Sequence, residues 1–372
     1  MKRLKSIDIF RGICMGWMFL GHLLDWWLKP EYFSLKNFTH SILDPIGASG
    51  FLFISGVSIA ISYRVRIYRV EVLNELSYSR VKQSYYFRAY LLLIIALGYN
   101  IAIALSIENL SWIWTWFVLM TAAFSLLITW PLFKLSKKTR IFICFSIWVI
   151  NQFIYIVLSS YKGLTTLQGV LYHILYNDLG QDTLLNFFPF FLFGTVVGDI
   201  LYEINFNKKP QNGKSEFKTK LFLPMSILGL FFIFFGLIFD FPSFLIRSSF
   251  SWLIYTLGID LILLLILIIL EEYNVLKTKR SYKLLFYFSY YSFTVYLGHN
   301  LMYFIFLNSL DTFSIWIAVV FSFILFGLIL RQIYKTWGWK ASLKIILGRI
   351  SFYLADRIER KKKINYLIKI QS

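Results

Sequence analysis

The sequence predicts an all-α, polytopic integral membrane protein with about ten transmembrane helices and both termini in the cytoplasm. Three observations carry that prediction. The chain is 58% hydrophobic and 20% aromatic, with a mean hydropathy of +0.65, far above the level of soluble domains. Apolar runs recur from end to end with no soluble insert between them. Basic residues crowd into every second connection, which is the positive-inside pattern.

The elements follow in order. The N-terminal MKRLK and the apolar run after it mimic a signal peptide. That run is too long for one, holds three ionisable groups and lacks a small-x-small cleavage site, so it reads as the first span. The spans are Ile9 to Leu28, Ile46 to Tyr63, Ala89 to Leu105, Trp112 to Phe133, Ile141 to Leu158, Leu185 to Ile204, Leu221 to Phe239, Phe250 to Leu270, Leu284 to Leu307, and Phe313 to Leu330. Each is roughly 17 to 24 residues, and in lipid only a helix satisfies the backbone of such a run. One set of connections holds Lys2 to Lys5, Arg64 to Arg88, Lys134 to Arg140, Lys208 to Lys220, Lys277 to Lys283, and Arg331 to Lys369. Together these carry 33 of the 38 basic residues, against four (Lys29, Lys36, Lys162 and Arg247) on the other side. That bias places both termini inside. It also accounts for most of the net charge of +19 without any nucleic acid.

The apolar domain covers 1–336, and 337–372 reads as a basic amphipathic cytoplasmic tail. In the tail, Leu343, Ile346, Leu347, Ile350 and Leu354 share a face ahead of Arg357 and Arg360 to Lys363, which suits an anionic leaflet. The Arg64 to Arg88 connection is long enough for a short surface helix. The outer connection Ser159 to Leu184 carries Leu164, Leu167, Val170, Leu171 and Ile174 among polar residues, the pattern of a short amphipathic lid. Cys14 and Cys144 lie in apolar runs as small core residues, with no disulfide framework and no metal set.

The first span is unusual. Asp8, Arg11, Met15, Met18, His22 and Asp25 recur at three- and four-residue steps and so share one helix face. Ionisable groups at membrane depth are functional by default. His22 is the side chain suited to proton exchange near neutral pH, and Asp25 one turn on can orient it. Arg11 lies near the cytoplasmic surface, placed to bind a phosphate or to pair with Asp199 on the sixth span. Met15 and Met18 are core filler or a flexible track for a ligand. Asp260 in the eighth span must be protonated or paired, as inter-helix glue or as part of a proton relay. His299 and Asn300 close the run SFTVYLGHN and can reach the level of His22 from another helix. His40 with Asp44 borders the second span, and His173 lies in the outer loop. Gly47, Gly50, Gly56 and Ala60 in the second span allow close helix approach or a narrow ligand groove.

Together these residues resemble the transmembrane acyltransferase superfamily. SIDIFRG (Ser6 to Gly12) and GFLFISGVSIAIS resemble the heparan-α-glucosaminide N-acetyltransferase catalytic-domain family. Arg11, ten intervening residues and then His22 match the Arg/His signature of the acyltransferase-3 family, and SFTVYLGHN resembles a late-span motif of the superfamily. The resemblance implies a cytoplasmic acyl-CoA donor, acetyl-CoA foremost, and a sugar amine or hydroxyl acceptor on the far side. The acyltransferase-3 pattern makes His22 catalytic, and the heparan enzymes point to His40.

The resulting expectation is an acyltransferase of the cell membrane. His22, Asp25, His299 and His40 are its catalytic candidates. Arg11, Arg64, Arg66, Met15 and Met18 contact the donor, and Asp44, Asp199, Asp260 and Asn300 act as structural or relay groups. The expected partners are the lipid bilayer, acyl-CoA and a glycan or lipid-linked sugar, with homodimerisation open and with no metal and no nucleic acid. The rival expectation is a proton-coupled secondary transporter in which the intramembrane aspartates and histidines form a relay.

Overall fold

The computed structural model describes residues 4–177, 181–206, 217–273 and 283–371, the side chains of 206 and 363–371 apart. The basic positions Lys2, Arg3, Lys208, Lys209, Lys214, Lys277, Lys279 and Arg280, and the side chains of Lys363 and Lys369, lie outside that description. Fourteen α-helices make up the described chain: α1 Lys5–Trp27, α2 Phe33–Leu43, α3 Ala48–Glu71, α4 Tyr78–Ser106, α5 Val118–Leu132, α6 Lys137–Ser159, α7 Leu167–Leu175, α8 Leu184–Phe206, α9 Leu223–Ile238, α10 Phe250–Glu272, α11 Lys283–Tyr290, α12 Ser292–Gly298, α13 Ser314–Thr336 and α14 Leu343–Gln371. No strand occurs among the described residues beyond a single bridge between Leu28 and Leu310.

Nine helical stretches among the described residues are long and apolar enough to cross a membrane. The expected span from Leu284 to Leu307 is not a continuous rod. It is built from α11, α12 and the 3₁₀ helix His299–Phe304. Hydropathy averaged over a span measures transfer into lipid and is blind to such local breaks. The segment after α13 holds this one together. Ser342 Oγ donates to the Tyr290 carbonyl at 2.9 Å and Lys344 Nζ to the Ser289 carbonyl at 2.7 Å, satisfying last-turn acceptors of α11. Tyr291 Oη donates to Gly338 O at 2.7 Å.

Two further differences concern helix length. α3 continues about two turns past Tyr63, and α4 begins about three turns before Ala89. No separate surface helix lies between them, because the membrane sets where polarity begins and not where the helix ends. The chain forms two compact units, one of Met1–Ser55 with Ile200–Lys344, the other of Gly56–Asp199 with Ile345–Ser372.

In the first unit, α1 packs on α10 and α11. Its N-terminus is capped across the chain: Glu271 on α10 accepts from the backbone N–H of Lys5 at 2.9 Å and of Ser6 at 2.8 Å. A carboxylate there satisfies orphan donors and complements the helix dipole. At the other end, Asn308 N donates to Trp26 O at 2.8 Å, Leu310 N to Trp27 O at 2.8 Å, and Trp27 Nε1 to Met302 O at 2.8 Å. The 3₁₀ stretch is thereby tied to the outer end of α1.

In the second unit, α3 and α8 meet at Gly56, where a Cβ would lie 2.0 Å from the Phe191 carbonyl. The glycines of the second span serve packing at that position. Asp199, on α8, is fully buried and binds Arg64 in bidentate fashion, at 2.7 Å to Nε and 2.8 Å to Nη2. Arg140 at the start of α6 donates to the same carboxylate and, at 2.8 Å, to Thr195 Oγ1. Asp199 was one of the partners open to Arg11; Arg64 and Arg140 occupy its oxygens.

Both stretches with amphipathic sequence are helical. On α7 the apolar residues Leu167, Val170, Leu171 and Ile174 are exposed, while Gly169 and Tyr172 are buried. Facing lipid, exposed surface is apolar, so the stripe marks the outside. Along α14 the buried positions are Leu347, Ser351 and Ala355, and Ile350 points outward.

Candidate active site

The outer end of α1 gathers the four catalytic candidates His22, Asp25, His40 and His299. His22 and Asp25 lie one turn apart, with Trp26 one residue further on. The first two are half-buried. The His22 ring stacks on Trp26, with centroids 5.1 Å apart and planes at 12°. His299, from the broken span, completes a triangle of rings at 4.9 Å from His22 and 5.5 Å from Trp26. Tyr303 meets the Trp26 edge at 5.7 Å.

Local backbone explains how His299 is held. It follows Gly298 at the end of α12, where helix carbonyls lack intrahelical donors. Its Nδ1 lies 2.6 Å from the Tyr296 carbonyl. A carbonyl only accepts, so Nδ1 carries the hydrogen, and in the neutral ring Nε2 is left with its lone pair. That Nε2 is buried and has no hydrogen-bond partner. The break in the span thus fixes a tautomer that presents a bare basic nitrogen. Asn300 turns back, its amide donating to Leu297 O at 3.3 Å.

Asp25 is the hub of a second group. Its carboxylate is 3.7 Å from His22 Nδ1, 3.4 Å from Lys36 Nζ and 3.3 Å from His40 Nε2. The first of these distances is ion-pair range and too long for a hydrogen bond. His40 Nδ1 is 3.0 Å from Asp44 Oδ1 one turn on, and Trp17 packs edge-on against the ring at 5.3 Å. Both nitrogens of His40 therefore face carboxylates, an arrangement that a doubly protonated ring serves. His40 stands on α2, an eleven-residue helix too short to cross a bilayer, and not in an irregular loop.

The cytoplasmic half of the α1 stripe is packed. Asp8, Arg11 and Met15 are buried and Met18 is half-buried. Ser289 Oγ donates to Asp8 at 3.4 Å. Asp260 on α10 is fully buried, and neither of its oxygens has a hydrogen-bond partner. It points towards Gly50 and Cys14: a Cβ on Gly50 would lie 2.8 Å from Asp260 Oδ1 and 3.1 Å from Cys14 Sγ. The paired alternative foreseen for Asp260 does not occur. Arg64 lies elsewhere, on Asp199. His173 lies in the last turn of α7. Among the described residues no group of three metal-ligating side chains occurs.

Reading the sequence missed Trp26, Lys36 and Arg140. Trp26 had a legible signal, since it follows His22 by one helical turn. Arg140 had none, because it stands in a cytoplasmic run (Lys137, Lys138, Arg140) that topology explains.

Chemically, the cluster offers a half-exposed imidazole, a buried partner imidazole with a free nitrogen, and a carboxylate to orient and stabilise charge. No curated protein matches the chain. A family model described as an acyltransferase domain, of the acyltransferase-3 type, matches residues 4–332, nearly the whole chain. With its apolar helices and an Arg11–His22 face that ends in this ring cluster, the chain belongs to the acyltransferase-3 family and is a multi-pass transmembrane acyltransferase.

Proposed function

We propose that the protein transfers an acetyl or other acyl group from cytoplasmic acyl-CoA to an amine or hydroxyl of a sugar on the non-cytoplasmic side of the cell membrane. The observation that carries this reading is the His22–His299 ring pair, with Nε2 of His299 unbonded beside a half-exposed His22. Base chemistry needs a nitrogen lone pair within reach of an entering acceptor, and this pair has one. Arg11, buried near the cytoplasmic end of α1, supplies a cation for the anionic part of the donor, and the packed stripe at Met15 and Met18 opens for the thioester to reach His22. Arg64, held by Asp199, is not needed for this.

In the proposed reaction the acceptor oxygen or nitrogen attacks the thioester carbonyl as His22 takes its proton. The new acyl bond forms, the C–S bond breaks, and CoA leaves as a thiol once the proton returns to sulfur. Asp25 stabilises the imidazolium of His22, and His299 receives or relays the proton through Nε2. A lipid-linked sugar suits an acceptor that meets the catalytic group at the membrane's outer boundary. Family membership supports acyl transfer over proton-coupled transport, because transport has no use for an acyl donor.

The test uses purified protein, radiolabelled acetyl-CoA and amino-sugar or hydroxyl-sugar acceptors. Label transfer should fall about a hundred- to ten-thousand-fold in His22→Ala and in His299→Ala, the usual contribution of a general base. Sugar flux into liposomes without any dependence on CoA would refute the reading.

A further inference from the structure

The proposed reaction gives His40 no task, yet its surroundings fix it closely. Trp17 packs edge-on against the ring at 5.3 Å, and a Cβ on Gly21 would lie 3.5 Å from its Cε1, so α1 confines it from two sides. Its Nδ1 is 3.0 Å from Asp44 Oδ1, and its Nε2 is 3.3 Å from Asp25 Oδ1. The second contact is an ion pair off the line of a hydrogen bond. Lys36, one turn earlier on α2, reaches the same Oδ1 at 3.4 Å. Two basic groups of α2 therefore share one oxygen of Asp25. The other oxygen, Oδ2, is the one that faces His22 Nδ1, at 3.7 Å. Glu31, on the turn before α2, is exposed and paired with Tyr32.

Burial opposes a charge on His40, and the two carboxylates outweigh it, pushing the ring from its ordinary value of 6.5 to about 9. The charge is thus present through neutral pH and lost as pH rises through about 9. A carboxylate shared among cations holds each one less firmly than a carboxylate with a single partner. For a general base that sharing matters. An imidazole gripped in a full ion pair keeps its proton, and the lone pair that the acceptor needs is then missing near neutral pH. At 3.7 Å, beyond a hydrogen bond, Asp25 is near enough to steady an imidazolium once it forms and too far to trap one beforehand.

We infer that His40 is a positioning residue: fixed between Asp44 and Asp25, it draws the Asp25 carboxylate off His22 and so keeps the His22 lone pair available. The inference deepens the acyl-transfer reading and rests on it for the role of His22 as base. Two readouts on purified full-length protein separate the two. One is the pH dependence of kcat/KM for transfer from radiolabelled acetyl-CoA to an amino-sugar acceptor. The other is an NMR titration of His22 in histidine-labelled protein without donor or acceptor, its signal assigned with His22→Gln. His40→Gln removes the cation, so Asp25 turns to His22 and the imidazolium is favoured. The acid limb of the rate profile and the His22 titration then both move to higher pH by about half a unit to one unit, a modest shift for a nearby carboxylate because the site is half-exposed. Asp44→Asn takes away one of the two carboxylates that keep His40 charged and moves both readouts the same way by less. His40→Arg restores a cation and returns both towards the wild-type position. Phe38→Ala, at an exposed position of α2, leaves both in place and so separates lost charge from a damaged helix. An unmoved limb and titration in His40→Gln overturn the inference, as does an equal shift in His40→Arg or in Phe38→Ala. An NMR shift in protein that turns over no acetyl-CoA supports the hold of His40 on Asp25 and refutes the acyl-transfer reading alone.

Discussion

At the scale of single residues, three of the four histidines are given different roles by their neighbours. His40 has a carboxylate against each nitrogen, His299 has one nitrogen tied and one bare, and His22 is stacked between rings with Asp25 at arm's length. Two carboxylates flank His40 and favour its charged form, which has no lone pair to lend. His40→Ala should therefore slow acyl transfer by less than about tenfold, where His22→Ala costs a hundredfold or more. Steady-state rates of the two variants at saturating donor make the comparison. The sequence already displayed His22 and Asp25, because helix periodicity turns spacing into a face. It did not display which nitrogen of which ring is occupied. That follows from a backbone carbonyl freed by the end of α12, and no residue type announces it.

At the scale of elements, buried charge and helix ends decide stability. Asp199 joins α3, α6 and α8 through Arg64 and Arg140. Asp199→Ala leaves the buried Arg140 guanidinium without its carboxylate and deprives the half-buried Arg64 of its bidentate partner, so unfolding should become easier by about 3–5 kcal/mol. Thermal or denaturant unfolding in detergent measures it, and a loss below ~1 kcal/mol contradicts the account. At the start of α13, Asp311 accepts from Phe313 N at 2.8 Å and Ser314 N at 2.9 Å. These bonds hold its carboxyl below its ordinary value of 3.8. The stabilisation is therefore present above that ordinary value and lost as pH falls through the lower, folded one. Amide exchange at Phe313 and Ser314 should accelerate on acidification across that window, and Asp311→Ala should show the fast rate throughout. Element existence was legible from apolar runs. Element ends were not: α3 and α4 outrun the membrane, and the span from Lys283 to Phe304 comes in three pieces, since hydropathy registers lipid and not hydrogen bonding.

At the scale of the whole molecule, charge asymmetry sets the sidedness of every connection. Lys138 and Leu164 are exposed at opposite ends of α6. The two native cysteines are buried, so an impermeant thiol reagent has little background in intact cells. It should label Leu164→Cys and leave Lys138→Cys unlabelled until the membrane is opened. The reverse pattern would invert the topology and with it the side proposed for the acceptor.

A thioester donor, as proposed, would also bring the enzyme a liability. Lys36 stands beside Asp25, 3.4 Å from its carboxylate, a short way from the imidazole assigned to acyl transfer. A free amine there would compete with the intended acceptor and become modified itself. Held against the Asp25 carboxylate, it is kept out of the acceptor's place. Asp25→Asn should loosen that restraint. Besides losing turnover, the variant should slowly tag its own Lys36, visible as an acyl mass increment on the peptide containing it. Asp25 would then be the enzyme's guard against self-modification as well as the partner of His22.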